Sequence, residues 1–172
     1  MIGQYGAPPA TGEIRNCNIH HVGGPSPGNQ HHGLYIQHGR VEVHHNVIVD
    51  CAGGWGIQLY SESSWCWIYN NTIARNDGGI VHGNEAGHVN GNNRIERNII
   101  VDSRKLSGVC DWWGGMPSPD NFLTDNIIYG NRPADVNVNG NVWTQRVNAS
   151  LDPRLDASLR PTNPDCFGYG AR

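Results

Sequence analysis

Short runs in which apolar and polar residues alternate recur along this chain at nearly constant intervals. In each full copy, a run led by Gly is followed by a second run that ends in Asn-x-Ile. The Ile of that triplet recurs every 25 to 29 residues, at Ile19, Ile48, Ile73, Ile100 and Ile128. A unit this short cannot bury its own apolar face, so successive copies must stack on one another.

The two-residue period predicts β-strands, and no sustained 3.6-residue period indicates a helix. Turns of Gly, Asn, Asp and Ser separate the strands at constant phase. We therefore predict an all-β fold, a right-handed parallel β-helix (solenoid) of about five to six coils. The length fits a single domain over residues 1–172. Residues 1–13 should be irregular, and residues 144–172 should form an extended tail that closes one end.

Alignment of the copies predicts which side chains face the interior. Five residues before each anchor Ile lies an apolar column: Ile14, Val43, Ile68, Ile95 and Leu123. The columns on either side are mixed and mostly polar, so we expect them to face solvent. Glu13, Glu42 and Trp67 belong to one of these columns, and His44 and Tyr69 belong to the other.

A column of small polar residues lies two positions before the anchor. Its members are Cys17, Asn46, Asn71, Asn98 and Asn126. Asn tolerates the left-handed backbone conformation, and stacked side-chain amides can bond to the next copy. We therefore expect this column to form the bend after a strand.

The Gly-led strands GLYI, GIQL, GIVH and GVCD should point one set of side chains outward. Their outward columns read Tyr35, Gln58, Val81, Cys110 and Gln37, Tyr60, Gly83, Trp112. Exposed Tyr and Gln at neighbouring heights suit a sugar-binding wall, because aromatic rings stack on pyranose faces while amides bond to hydroxyls. Ordinary surface aromatics are the alternative interpretation.

Inserts between the half-repeats grow along the chain, at residues 83–92 and 112–120, and inserts in solenoids often carry the binding function. Trp112 and Trp113 in the second insert could clamp a ligand or cover the core. The candidate substrate-binding residues are Tyr35, Gln37, His38, Gln58, Tyr60, Glu62, Trp112 and Trp113.

Polar residues interrupt one inward column, where His82 and Asp111 follow Ile36 and Leu59. Polar groups in an apolar column are costly unless they are paired. Either the two side chains bond to each other on adjacent coils, or the strand ends early and they face solvent. A His beside an Asp could also act as a general acid/base pair.

Two carboxylates should lie one coil apart, at Glu13 and Glu42. Retaining glycosidases use a carboxylate separation of about 5 Å. Two carboxylates at such a short distance can share a proton. Two solvated glutamates on a surface ladder are the alternative. The candidate catalytic residues are therefore His82, Asp111, Glu42 and Glu13.

Charge and composition restrict the classes of partner. A net charge of −3 and a pI near 6.3 give no electrostatic case for nucleic acid or an anionic membrane. No apolar run has the length of a membrane-spanning helix, and the first residues lack the features of a signal peptide. We therefore expect no export signal within this chain.

Cysteine and histidine are candidates for chemistry of their own. Five cysteines without CxxC spacing predict buried free thiols, with a disulfide as the alternative. Three His-His pairs stand among the nine histidines. Because neighbouring residues on a strand point to opposite faces, each pair should supply at most one metal ligand, and we assign no metal site.

The phrases GLYI, GWGIQLY, NNTIARN and RNIIVD, with the ending DPRLDASLRPTNPDCFGYG, resemble the right-handed parallel β-helix proteins of the pectate-lyase-like superfamily. The resemblance covers about residues 12–170. It implies a secreted or periplasmic protein that acts on polysaccharide, with calcium as a cofactor in some members. The acidic calcium cluster of pectate lyases and the paired-Asp motifs of polygalacturonases do not match this chain. The N-terminal capping helix common in the superfamily is not evident either.

Two functions follow as expectations. The first is a polysaccharide lyase-like or glycoside hydrolase-like protein that binds a polysaccharide along the stacked strands. The alternative is a non-catalytic glycan-binding or assembly module. Because an open coil end exposes unpaired backbone groups and an apolar cross-section, we also expect a homo-oligomer.

Overall fold

A computed structural model describes residues 2–3, 6–25, 28–85, 87–112, 119–140 and 142–172, without the side chain of Trp112. The strands are β1 (Ala10–Arg15), β2 (Asn18–His20), β3 (Leu34–Ile36), β4 (Gly39–His44), β5 (Val47–Val49), β6 (Trp55–Tyr60), β7 (Trp67–Tyr69), β8 (Thr72–Ala74), β9 (Gly78–Gly83), β10 (Arg94–Glu96), β11 (Ile99–Val101), β12 (Val109–Trp112), β13 (Asn121–Thr124), β14 (Ile127–Tyr129), β15 (Val136–Asn137) and β16 (Trp143–Arg146). A 3₁₀ helix at Pro164–Cys166 follows them. No helix in the described ranges is long and apolar enough to cross a membrane.

The strands form three parallel sheets, and each turn of chain contributes one strand to each sheet. Sheet 1 has the order β1-β4-β7-β10-β13-β16, sheet 2 the order β2-β5-β8-β11-β14, and sheet 3 the order β3-β6-β9-β12-β15. Five three-strand turns and a sixteenth strand therefore stack into a solenoid. The predicted parallel β-helix is confirmed.

Stacked aliphatic side chains fill the interior. The column Ile14, Val43, Ile68, Ile95 and Leu123 runs in register through sheet 1 as predicted. The anchor column from Ile19 to Ile128 runs in register through sheet 2. Val43, Ile68 and Ile95 are fully buried, so the strands owe their position to the apolar faces they share.

An Asn ladder holds the bend between sheets 1 and 2. Asn71 donates from its backbone N and from Nδ2 to Oδ1 of Asn98, at 2.9 Å each. The same arrangement links Asn98 to Asn126. The predicted amide stacking is correct, but the predicted left-handed backbone belongs to the residue before each Asn, such as Asn70 and Arg97 with φ of 51° and 55°.

Two further ladders hold the other bends, and the sequence analysis missed them. At the bend after sheet 2, Cys51 N donates to Oδ1 of Asn76 at 2.9 Å. At the bend before sheet 1, Cys66 N donates to Oδ1 of Asn93, whose own N donates to Oδ1 of Asn121. Each buried amide thus satisfies backbone groups of a neighbouring turn.

Glycine lies at or next to the start of four strands of sheet 3, at Gly33, Gly56, Gly79 and Gly108, because a side chain would not fit there. A Cβ on Gly33 would lie 2.7 Å from the Gly56 carbonyl oxygen and 2.8 Å from Ile48 Cγ2. A Cβ on Gly79 would lie 2.1 Å from the Gly108 carbonyl oxygen. Close approach of neighbouring turns therefore explains the Gly at the head of each copy.

The end of the C-terminal tail makes its contacts along sheet 2, whereas β16 at its start pairs with β13 of the last turn. The prediction that residues 144–172 close one end stays a prediction. Tyr169 Oη donates to Asp125 at 2.8 Å, Gly170 N donates to the Arg97 carbonyl at 3.0 Å, and Ala171 N donates to Thr72 Oγ1 at 3.0 Å. The tail packs on outward apolar side chains of sheet 2: Val49, Ala74, Ile99, Val101 and Ile127. Those residues need a cover because both faces of sheet 2 are apolar.

All five cysteines are free thiols, and four of them are buried. Burial raises the pKa of Cys66 to about 11 and that of Cys110 to about 12. The prediction of buried free thiols is therefore correct for four positions. It is wrong for Cys17, which is exposed because it lies at the edge turn of the solenoid.

Candidate functional site

A pocket of about 450 Å³ opens on sheet 3 at the first two turns. Its wall on the sheet consists of Tyr35, Gln58 and Tyr60, and loop residues 28–30 with His32 form the other side. Tyr35 and Gln58 are register partners on β3 and β6. The structure therefore brings together three of the predicted substrate-binding residues. We call this site the tyrosine pocket.

Two aromatic rings and one buried amide define the chemistry of the tyrosine pocket. The ring centroids of Tyr35 and Tyr60 lie 6.5 Å apart, and the His32 ring lies 5.6 Å from Tyr35. Gln58 is only 5% exposed, and its Oε1 has no hydrogen-bond partner among the described residues. A buried acceptor without a partner favours a ligand that donates a hydrogen bond to it.

The groups that line the tyrosine pocket are electrically neutral near pH 7. Burial, reinforced by the charge of His31, lowers the pKa of His32 to about 4, and Trp55 N donates to its Nδ1 at 3.2 Å. Burial and the hydrogen bond to Glu85 raise the pKa of Tyr60 to about 12. Burial also raises the pKa of Tyr35.

A row of carboxylate and imidazole side chains extends from Tyr60 along the bend that follows sheet 3. Tyr60 Oη donates to Glu85 Oε1 at 2.6 Å, and Glu85 Oε2 lies 3.9 Å from His88 Nε2. Glu62 lies between two imidazoles, 3.1 Å from His88 Nδ1 and 3.1 Å from His38 Nδ1. We call Glu85, His88, Glu62 and His38 the acid–imidazole chain.

The residue pattern pointed to His38 and Glu62 but not to Glu85 and His88. The signal for the missed pair was the growing insert at residues 83–92, which follows β9 at the same bend where His38 follows β3 and Glu62 follows β6. Stacked turns place equivalent bends side by side. The three bends therefore bring these side chains together.

The exposed wall of sheet 3 is shorter than predicted. Val81 and Cys110 were expected to point to solvent, but they are 0% and 2% exposed and pack with Trp55 and Leu106. Their column is therefore covered by the apolar side chains of Trp55, at the start of β6, and of Leu106, in the loop before β12. Gln37 is half-buried, its backbone N donates to the Ile2 carbonyl at 2.8 Å, and it does not line the tyrosine pocket.

The two candidate tryptophans cannot be placed in the site. The backbone of Trp112 pairs with Gly83 at the end of β12, as the predicted column requires. Its side chain and the whole of Trp113 lie outside the described residues.

His82 and Asp111 meet inside the solenoid. His82 is fully buried, with Nδ1 3.3 Å from Asp111 Oδ1 and Nε2 3.0 Å from the Asn90 carbonyl. Asp111 also accepts from Trp143 Nε1 and from Asn139 N, at 2.8 Å each. These contacts fit the pairing alternative, because Asp111 and His82 Nε2 are hydrogen-bonded in place. His82 Nδ1 lies within ion-pair distance of Asp111 but has no hydrogen-bond partner among the described residues. A catalytic role for the pair stays a prediction.

Glu13 and Glu42 are register partners on β1 and β4, as predicted, but each carboxylate has its own partners. Glu13 contacts His44 Nε2 at 2.5 Å and Arg15 Nε at 3.1 Å, whereas Glu42 accepts from Tyr69 Oη at 3.2 Å. The hydrogen bond from His44 is the main cause that lowers the pKa of Glu13. A catalytic role for the two carboxylates stays a prediction.

Two of the three His-His pairs do not divide between two faces as predicted. His20 Nδ1 lies 3.0 Å from His21 Nδ1, and His44 Nδ1 lies 2.7 Å from His45 Nδ1. The second residue of each pair has positive φ, 53° and 54°, which turns the two rings together. Within the described ranges no cluster of three or more His, Cys, Asp or Glu side chains could hold a metal ion.

Comparison with known proteins supports the architecture. A protein-family model described as a right-handed beta helix region matches residues 7–149. Comparisons with curated proteins and with solved structures gave no match.

Proposed function

Because the chain belongs to the right-handed β-helix family, matched over residues 7–149, we propose that it is a carbohydrate-binding solenoid whose tyrosine pocket holds one sugar unit of a polysaccharide. The observation that carries the proposal is the pair of Tyr rings 6.5 Å apart beside Oε1 of Gln58, for which the described part of the chain supplies no hydrogen-bond partner. Aromatic faces stack on the CH groups of a pyranose. The Gln58 oxygen would then accept from a sugar hydroxyl.

The proposed sugar unit is uncharged. Apart from His32, whose pKa of about 4 keeps it neutral, no described residue that lines the tyrosine pocket has a basic side chain. Ser26 and Pro27, in the same loop, are uncharged by sequence. Glu85 adjoins the pocket through Tyr60 and would repel a uronate. A neutral sugar therefore fits the tyrosine pocket better than an acidic one.

A matched pair of ligands tests this proposal. Neutral β-1,4-linked oligosaccharides of glucose, mannose and galactose are compared by calorimetry with the same chains oxidised to the carboxylate at C6. We expect at least one neutral oligosaccharide to bind. Its acidic counterpart should bind with an affinity that is lower by about tenfold or more. Tyr60→Ala should lower the affinity about tenfold, while the exposed Tyr129→Ala on sheet 2 should leave it unchanged. Binding of none of the neutral chains would overturn the proposal.

The acid–imidazole chain favours a second candidate function, an enzyme that cleaves the bound polysaccharide. General acid–base catalysis needs titratable groups next to the substrate, and clusters of such groups mark candidate active sites. Tyr60 links the tyrosine pocket to Glu85, and Glu62 lies between two imidazoles.

Product analysis separates the enzyme from the non-catalytic module. Reducing ends report hydrolysis and ultraviolet-absorbing unsaturated ends report elimination, each measured with and without calcium. If the chain is an enzyme, Glu62→Gln and Glu85→Gln should lower turnover at least tenfold. Binding without any product would instead support the non-catalytic module.

A further inference from the structure

The bend between sheet 3 and sheet 1 holds an exposed aromatic residue with positive φ, a backbone conformation that is unfavourable for an aromatic residue. Trp65 has φ of 64° and is 59% exposed. The equivalent position before the ladder residue is Asn92 on the next turn and Asp120 on the one after, with φ of 59° and 66°. Asn and Asp tolerate positive φ, whereas a bulky aromatic residue does not.

Burial does not explain Trp65, because most of its surface lies in solvent. Ser61 and Glu62, at φ of 51° and 61°, add to the strain within the same five residues. Strained residues that gain no packing are typical of ligand-binding sites.

We propose that Trp65 and Trp67 form a second sugar-stacking subsite, so that an oligosaccharide held in the tyrosine pocket continues around the bend from sheet 3 onto sheet 1. This inference rests on the proposed function of the tyrosine pocket. It places the ligand along a single turn of chain, whereas the sequence analysis placed it along the stacked strands.

Two surface depressions mark the path. The first, of about 230 Å³, is lined by His38, Glu62 and Trp65. The second, of about 260 Å³, is lined by Trp65, Trp67, Glu42 and Arg94 among others. Trp65 lines both depressions. Each depression is smaller than the 300–1,000 Å³ of a typical pocket for a drug-sized ligand, and this size suits one sugar ring.

The acid–imidazole chain joins these depressions to the tyrosine pocket. His38 and Glu62 line the first depression, and Glu62 connects through His88 and Glu85 to Tyr60. Polar side chains at 2.6 to 3.9 Å from one another therefore lead from Tyr60 to Glu62, which lines the depression beside Trp65.

The second stacking surface is held in place before any ligand binds. Trp67 Nε1 donates to Glu96 Oε2 at 3.1 Å, and its ring lies 4.3 Å from the Tyr69 ring. Tyr69 in turn stacks on His44 at 4.6 Å. A fixed ring loses little freedom on binding, which favours affinity. Charged groups at the rim, such as Glu42 and Arg94, can bond to sugar hydroxyls.

Chain-length dependence of binding tests the inference. The ligands are the neutral β-1,4-linked oligosaccharides of one to six units, measured by calorimetry against the wild type, Trp65→Ala, Tyr60→Ala and the control Tyr129→Ala. For the wild type we expect affinity to rise about tenfold between the shortest ligand that binds and the six-unit chain. Trp65→Ala should abolish this gain and keep the affinity for the shortest ligand, whereas Tyr60→Ala should weaken every length.

A gain with chain length that survives Trp65→Ala would overturn the inference and leave the tyrosine pocket intact. Failure of every chain to bind the wild type would instead overturn the proposed function itself.

Trp65→Asn is a second variant that restores the residue type found on the next turn. Relief of the backbone strain should keep or raise the melting temperature, while the gain with chain length is lost. A lower melting temperature would mean that Trp65 is retained for packing, and the inference would fail.

Discussion

At the scale of single residues, stability depends on buried amides that serve two turns at once. Oδ1 of Asn98 accepts from the backbone N and the side chain of Asn71, and its Nδ2 donates to the carbonyls of Ile68 and Glu96. Asn98 is fully buried, so water cannot replace these bonds. The repeat predicted this column, because Asn recurs there at constant phase.

Asn98→Ala should destabilise the fold by about 2–4 kcal/mol, because it leaves several buried polar groups without partners. Urea unfolding followed by circular dichroism measures the change. The matched control is Asn137→Ala, at an exposed position of β15, which should change the unfolding free energy by less than about 0.5 kcal/mol. Equal effects of the two substitutions would contradict the role assigned to the ladder.

His32 makes stability depend on pH. Burial lowers its pKa to about 4 in the folded chain, below the ordinary value of 6.5. Protonation therefore favours the unfolded chain, and stability that is full above pH 6.5 should decline as the pH falls from 6.5 to 4. His32→Gln should flatten the unfolding free energy over that interval. A parallel pH profile for the wild type and the variant would show that His32 is not the cause.

At the scale of elements, close approach of turns fixes where each strand of sheet 3 begins. Gly79 heads its copy of the repeat, and a Cβ there would meet the Gly108 carbonyl and Ile100 Cγ2. Gly79→Ala should cost about 1–3 kcal/mol and lower the melting temperature by several degrees. Gly140→Ala, where a Cβ would meet nothing within 4 Å, should leave the melting temperature unchanged. A larger loss of melting temperature in Gly140→Ala than in Gly79→Ala would refute this account.

The sequence predicted the strands and their register because each strand contributes to one apolar column. It could not predict which side chains cover the outer face of sheet 3. Trp55 and Leu106 cover Val81 and Cys110, and neither covering residue belongs to the repeating columns. The apolar outward residues of sheet 2, such as Ile99, were a readable sign that a further segment packs there.

The candidate site was predictable in part for the same reason. Tyr35, Gln58 and Tyr60 occupy repeat positions, so alignment of the copies brought them together. Glu85 lies in an insert, where no periodicity fixes the backbone. The strained φ of Trp65 is likewise a property of the bend and has no signature in the residue pattern.

At the scale of the whole molecule, the first turn presents an incompletely covered edge. Ile14, Ile19 and Leu34 at that end are only half-buried, and among the described residues the bridge of Ile2 to Ile36 covers only part of β3. Open edges of parallel strands tend to pair with other chains. We therefore expect a homo-oligomer that forms through this end.

Sedimentation over a dilution series checks the oligomer, and Thr11→Lys on the exposed edge strand β1 should weaken it. The matched control is Thr144→Lys on β16, at the opposite edge of sheet 1. A monodisperse monomer at every concentration would contradict the expectation.

The path of the C-terminal tail changes how such a molecule should come apart. A stack of repeats with contacts only between neighbours can lose its terminal repeats one at a time. Here Ala171 is hydrogen-bonded to Thr72 in the third turn, and Tyr169 is hydrogen-bonded to Asp125 in the fifth turn. The C-terminal tail therefore acts as a strap between these two turns. Peeling of the last coil must first detach this strap, which converts a sequence of small fraying events into one concerted transition.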